Sequence, residues 1–216
     1  MEGNWIPYRK ELGAVDKKRY CKKLVFCFVG SVLMGIGNGI AINCGLGADP
    51  ITVFYGGVVH TMKISAGWAS NLTALLMIAI TVFLDYHELG VGTVLSLFVV
   101  GGFMVVTIGL LKGFSWAFPY NYILMLVAFT ILAAGAGAII YVGVGKVAYD
   151  ALLIAITKKS GHPYHHVRWA VDFFLLATGI LMGGTLTVGT VVAFLILGKM
   201  ITFFWRAYEK CRWITL

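Results

Sequence analysis

Long apolar stretches almost free of charge constrain this chain more than any other feature. Residues 24–46, 68–84, 91–111, 122–144, 169–182 with their flanks, and 188–205 are the six main ones. A bilayer-spanning helix needs roughly 20 such residues. In hydrocarbon every backbone N–H and C=O must find an internal partner, so stretches of this length become helices. Two shorter stretches, 51–62 and 147–157, follow the glycine breaks Gly45-Leu46-Gly47 and Gly143-Val144-Gly145. Lengths of about 10–14 residues suggest re-entrant or buried helices. The expected fold is all-α: a polytopic transmembrane helical bundle of about eight segments, two of them short.

Composition narrows the function classes. The apolar set makes up 60% of the 216 residues and charged residues only 12%, against roughly 45–50% and 25% in soluble domains. A soluble globule leaves too much of its area exposed to hide that apolar surface. A soluble enzyme, a disordered chain and a nucleic-acid binder are excluded, and the first expected partner is the lipid bilayer.

The 17 basic residues outnumber the 9 acidic ones. Arg9, Lys10, Lys17, Lys18, Arg19, Lys22 and Lys23 precede the first apolar stretch, and Arg206, Lys210 and Arg212 follow the last. Basic flanks mark the cytoplasmic side. Residues 1–23 therefore read as a cytoplasmic basic segment, 24–205 as the transmembrane domain, and 206–216 as a cytoplasmic tail in a multi-pass cell-membrane protein. Cys21, Cys27, Cys44 and Cys211 have no metal spacing, and neither disulfide nor metal is expected.

If the short segments cross, there are eight spans, with 15 basic residues inside and Lys146 outside. If they are re-entrant, there are six, with 14 inside and two outside. The eight-span path is favoured by a narrow margin, because it also leaves Asp85-Tyr86-His87-Glu88 outside.

The chain resembles itself at a shift of 97–98 positions. Val91-Gly92-Thr93-Val94 recurs as Val188-Gly189-Thr190-Val191, and Gly47 falls on Gly145. This predicts two pseudo-repeated halves, 24–111 and 122–205. Short or glycine-interrupted segments at matching positions point to a site at the interface of such halves. An even number of spans per half would make the repeats parallel, and three spans plus a re-entrant helix would make them inverted.

Gly45-Leu46-Gly47-Ala48-Asp49-Pro50, the Gly-Val-Gly-Thr that opens the stretch 91–111, and the Gly-Gly-x-x-x-x-Gly-Thr pattern at Gly183–Thr190 resemble the YczE/YyaS/YitT-type bacterial integral membrane proteins. The resemblance covers most of 24–205. The second half departs from it at Gly145-Lys146-Val147-Ala148-Tyr149-Asp150, which lacks the proline of the first. It implies a multi-spanning membrane protein of transporter-like character and no established substrate.

Ionisable groups inside a membrane suggest function by default. Asp49 and Asp150 stand near the starts of the short helices, where Asp49 can also be an N-cap followed by Pro50 at the first helical position. Arg168 and Asp172 are spaced i, i+4, so they can pair structurally or serve as a gate. Asn38, Thr52, Tyr55, Tyr149, Asp150, Asp172 and Asp49 form the expected substrate-binding set. Asn38 could instead join helices, and His60 reads as an interfacial histidine. His162, His165 and His166 make a basic turn rather than a specific ligand set. No serine stands in a nucleophile–base pattern, so an enzyme is not expected, and neither is a cofactor.

The expected function is a small-solute transporter or permease, for a neutral or cationic solute, with a central site between the short helices. The alternatives are a substrate-capture subunit of a larger transport complex and a structural or regulatory membrane protein. A homo-oligomer or an energising partner is compatible with each.

Overall fold

The computed structural model describes residues 17–47, 49–64, 66–114 and 118–211. The elements are α1 (Lys17–Asn43), α2 (Pro50–Met62), α3 (Ala66–Asp85), a short 3-10 turn (Tyr86–Glu88), α4 (Val91–Leu111), α5 (Tyr120–Val142), α6 (Ala148–Ser160), α7 (Tyr164–Leu181) and α8 (Val188–Cys211). All eight expected helices form, and α2 and α6 are the two short ones. Arg9 and Lys10 of the basic flank, and Arg212 of the tail, lie outside the described residues.

Helices α1, α3, α4, α5 and α8 are long and apolar enough to cross a bilayer. Large apolar side chains cover the outside, among them Phe83, Phe98, Leu110 and Leu181. Such a surface suits lipid and not water. Helix α5 is the most enclosed of these five, with Phe129, Leu132, Ala133, Ala136 and Ile139 all buried. Its second half is apolar all round and almost wholly buried, as a helix segment with neighbours on every side should be.

Small residues decide how closely the helices approach. Gly30 of α1 and Gly135 of α5 meet backbone to backbone: a methyl on Gly135 would lie 2.5 Å from the Gly30 carbonyl oxygen. One turn pair further along, Gly37 of α1 meets Ala128 and Leu132 of α5. Rising numbers on α1 face falling numbers on α5, so the two helices are antiparallel. Helix α4 runs with α1, since Gly35 meets Phe103 and Gly39 meets Thr107. Helix α8 runs with α5, since Gly189 meets Met125 and Gly137 meets Phe204. The start of α1 and the end of α8 thus share one end of the molecule, where the Phe26 and Tyr208 rings lie 5.9 Å apart.

Two loop contacts hold the helix starts. The Gly92 N–H donates to the Val144 carbonyl at 2.9 Å, and the Gly189 N–H donates to the Leu46 carbonyl at 2.8 Å. Each joins a Val-Gly-Thr-Val helix start to the glycine break after another helix.

The eight-crossing path expected from charge counting does not describe this structure. It puts Glu88 and Lys158 on opposite sides of the bilayer. Here the Lys158 and Lys146 ammonium groups both donate to the Glu88 carboxylate, and Lys158 also reaches Asp85 Oδ2 at 3.2 Å. The acidic turn and the end of α6 share one side. The sequence margin for eight crossings rested on a net difference of one lysine and on an acidic turn, too little to outweigh an ion cluster that needs those groups together.

Candidate functional site

The α5–α6 connection begins at Gly143, whose φ of +67° closes α5 in a left-handed cap. Glycine adopts that conformation without a Cβ clash. The loop then delivers Tyr149 and Asp150 into the first turn of α6. Asp150 therefore stands in the first turn, where a carboxylate suits the positive end of the helix dipole.

Helix α7 supplies the opposite wall. It starts directly after Pro163, so Tyr164, Arg168 and Asp172 follow at i, i+4 and i+8 on one face. Tyr164, Asp150, Arg168 and Asp172 are all at most 2% exposed. Tyr164 Oη donates to Asp150 Oδ1 at 2.8 Å. Arg168 Nη1 donates to Tyr164 Oη at 3.0 Å and to Asp150 Oδ1 at 3.4 Å. Arg168 Nε faces Asp172 Oδ2 at 3.4 Å without the alignment of a hydrogen bond. Tyr149 Oη donates to Asp172 Oδ1, and the Arg168 guanidinium stands 5.1 Å over the Tyr149 ring.

Two carboxylates thus share one guanidinium in a sealed, water-poor setting. Asp49, itself buried at the start of α2, lies close enough for its charge to act on both Asp150 and Asp172. With every group ionised, the three aspartates and Arg168 sum to −2, and the Lys146 charge, which also acts on Asp150, offsets part of that excess. Charge of that size in a low-dielectric interior is costly unless it is balanced. The site is therefore suited to take up positive charge, as a cation or as protons.

The structure brings together Tyr149, Asp150, Arg168 and Asp172 of the expected set, with Asp49 beside them. Asp49 does not cap α2 through its side chain; its Oδ1 accepts from the Thr52 hydroxyl at 2.6 Å. Tyr55 meets Ser70 of α3 on the side of α2 that also feels the Asp49 charge. Asn38 does not join the network: it stays half-buried on α1, which packs on α4 and α5. His60 stands at the far end of α2, with Nδ1 3.2 Å from the Met182 carbonyl oxygen.

Tyr164 is the member that sequence reasoning missed. Its signal was the i, i+4, i+8 spacing with Arg168 and Asp172, hidden because the helix was begun at residue 169 instead of after Pro163. All four cysteines are free, with Cys27 and Cys44 buried and Cys21 and Cys211 exposed.

Long apolar helices, a lipid-compatible surface and an ionised network deep among them define a polytopic α-helical membrane protein. The chain belongs to a family of unknown function, DUF6198, whose pattern matches residues 21–206. It is similar to the uncharacterized membrane protein YczE of Bacillus subtilis, 22% identical over 188 residues covering 87% of each chain. It is also similar to an uncharacterized protein of Haemophilus influenzae, 26% identical over 172 residues covering 80% of this chain and 78% of that one. No solved structure matches it significantly.

Proposed function

We propose that this chain is a small-solute transporter made of two inverted halves, α1–α4 and α5–α8. The buried Asp150–Arg168–Asp172 network forms its central site. The network carries the reading: a net negative charge, sealed between α6 and α7 and close to the start of α2, is expensive to keep without a use. It favours a neutral solute carried with a cation or proton, or a cationic solute.

The paired contacts support the inverted halves. Shifting numbers by 97–98 carries the meeting of Gly37 with Ala128 and Leu132 onto that of Gly135 with Gly30 and Met34. The same shift carries the Gly189–Leu46 hydrogen bond to within a residue of the Gly92–Val144 bond read in reverse. Equivalent helices α1 and α5 are antiparallel, so each half crosses an odd number of times. Six crossings follow, with α2 and α6 as half-helices entering from opposite sides. Discontinuous helices that meet near the midplane are a recurrent way to build a transport site. Basic residues at the α1 and α8 ends support a cytoplasmic location for both termini.

The deciding experiment uses purified protein in liposomes with a panel of neutral and cationic solutes. Uptake that Asp150→Asn and Asp172→Asn each abolish supports the reading; no uptake of any solute by the native protein overturns it. Cysteine labelling at position 86, an exposed residue of the same turn, tests the topology separately. Six crossings require labelling only from the cytoplasmic side.

A further inference from the structure

A second feature lies away from this network. Helix α8 carries Lys199, Phe203, Arg206 and Lys210 at i, i+4, i+7 and i+11, one stripe of its surface. The stripe and His165 of α7 line an open groove of about 460 Å³. No carboxylate among the described residues lines it, and the Lys199 and Arg206 charges both act on His165. The adjacent acid, Glu209, is not part of the lining.

The groove's position along α8 matters as much as its charge. The apolar run of α8 ends at Trp205 and the polar tail begins at Arg206. The groove therefore straddles a boundary between hydrocarbon and water. Lys199 arises within the apolar run, and its Nζ sits 5.2 Å over the Trp169 ring. A long lysine side chain can direct its charge toward the interface in this way. Phe203, two-thirds exposed, and Ala207 provide an apolar floor between the cations. A small free anion would use the cations and waste that floor. A ligand with a phosphate at one end and hydrocarbon at the other uses both.

We infer that this groove binds the headgroup phosphate of an anionic phospholipid from the leaflet at the α1/α8 end. The phosphate lies among Lys199, Arg206 and His165, where charge-assisted contacts are strongest. The first acyl carbons cover Phe203 and Ala207. Basic pockets at the cytoplasmic boundary of transmembrane helices suit such lipids on general electrostatic grounds.

The test is native mass spectrometry of the full chain in detergent, with equal phosphatidylglycerol and phosphatidylcholine added. The native protein should retain phosphatidylglycerol preferentially. Each neutralised cation should lower that preference about fivefold. Lys199→Gln/Arg206→Gln should thus remove nearly all of it, while Lys22→Gln/Lys23→Gln, equal in charge and outside the groove lining, should leave it intact. Equal retention of the two lipids by the native protein overturns the inference whatever the variants do. So does an equal loss in the Lys22/Lys23 control, which would mean diffuse surface charge. Displacement of phosphatidylglycerol by millimolar inorganic phosphate would reassign the groove to a free anion.

Discussion

Replacing Arg168 by methionine tests the buried network directly. The change keeps a long apolar stem and deletes the guanidinium. Arg168 is 2% exposed and stands 3.4 Å from an oxygen of each of Asp150 and Asp172. Without it, two sealed carboxylates keep only their tyrosine partners, Tyr164 on Asp150 and Tyr149 on Asp172, and the more distant Lys146 charge on Asp150. Breaking a buried pair by removing one partner costs about 3–5 kcal/mol, because the other charge is left uncompensated. For a chain of this size each kcal/mol is worth about 2–4 °C, so the melting point should fall by roughly 6–20 °C. The cysteines supply the assay. Cys27 and Cys44 are buried and free, whereas Cys21 and Cys211 are exposed. With Cys21→Ser and Cys211→Ser as background, a thiol-reactive dye reports unfolding only as the two buried thiols appear. The triple change Arg168→Met/Asp150→Asn/Asp172→Asn removes all three charges and should recover most of the loss. If Arg168→Met melts within about 2 °C of its background, or the triple variant melts as low as the single one, the electrostatic account is wrong.

Further outcomes follow from the same contacts. Tyr164→Phe removes one bond to Asp150 and one from Arg168 and should cost about 1.5–3 kcal/mol, read in the same melt. Gly135→Ala should destabilise by about 1–3 kcal/mol, because its methyl would meet the Gly30 backbone. Gly101→Ala, with open space around it, should be neutral or slightly stabilising by helix propensity. Burial pulls the Lys158 ammonium toward lower pKa, but the Glu88 and Asp85 carboxylates outweigh it and hold it above the ordinary 10.5. Its contribution is complete below 10.5 and is lost as pH rises through the raised value. The melting difference between native protein and Lys158→Gln should therefore be constant from neutral pH upward and close only in strong alkali.

The sequence by itself determined the class and the inventory of elements. The bilayer accepts only backbone that bonds internally, so apolar run length alone announced the long helices and the two short ones. Asp150, Arg168 and Asp172 were also legible, because an ionised side chain in an apolar run is conspicuous. The direction of the helices was not legible. Swapping one lysine between sides barely alters a charge count, whereas the meeting of Lys158 with Glu88 requires both groups on the same side. Nor did local spacing announce that Tyr164 would donate a hydrogen bond to Asp150. They lie on different helices, and only the register of α7 against α6, set by how those two surfaces pack, brings the hydroxyl to the carboxylate.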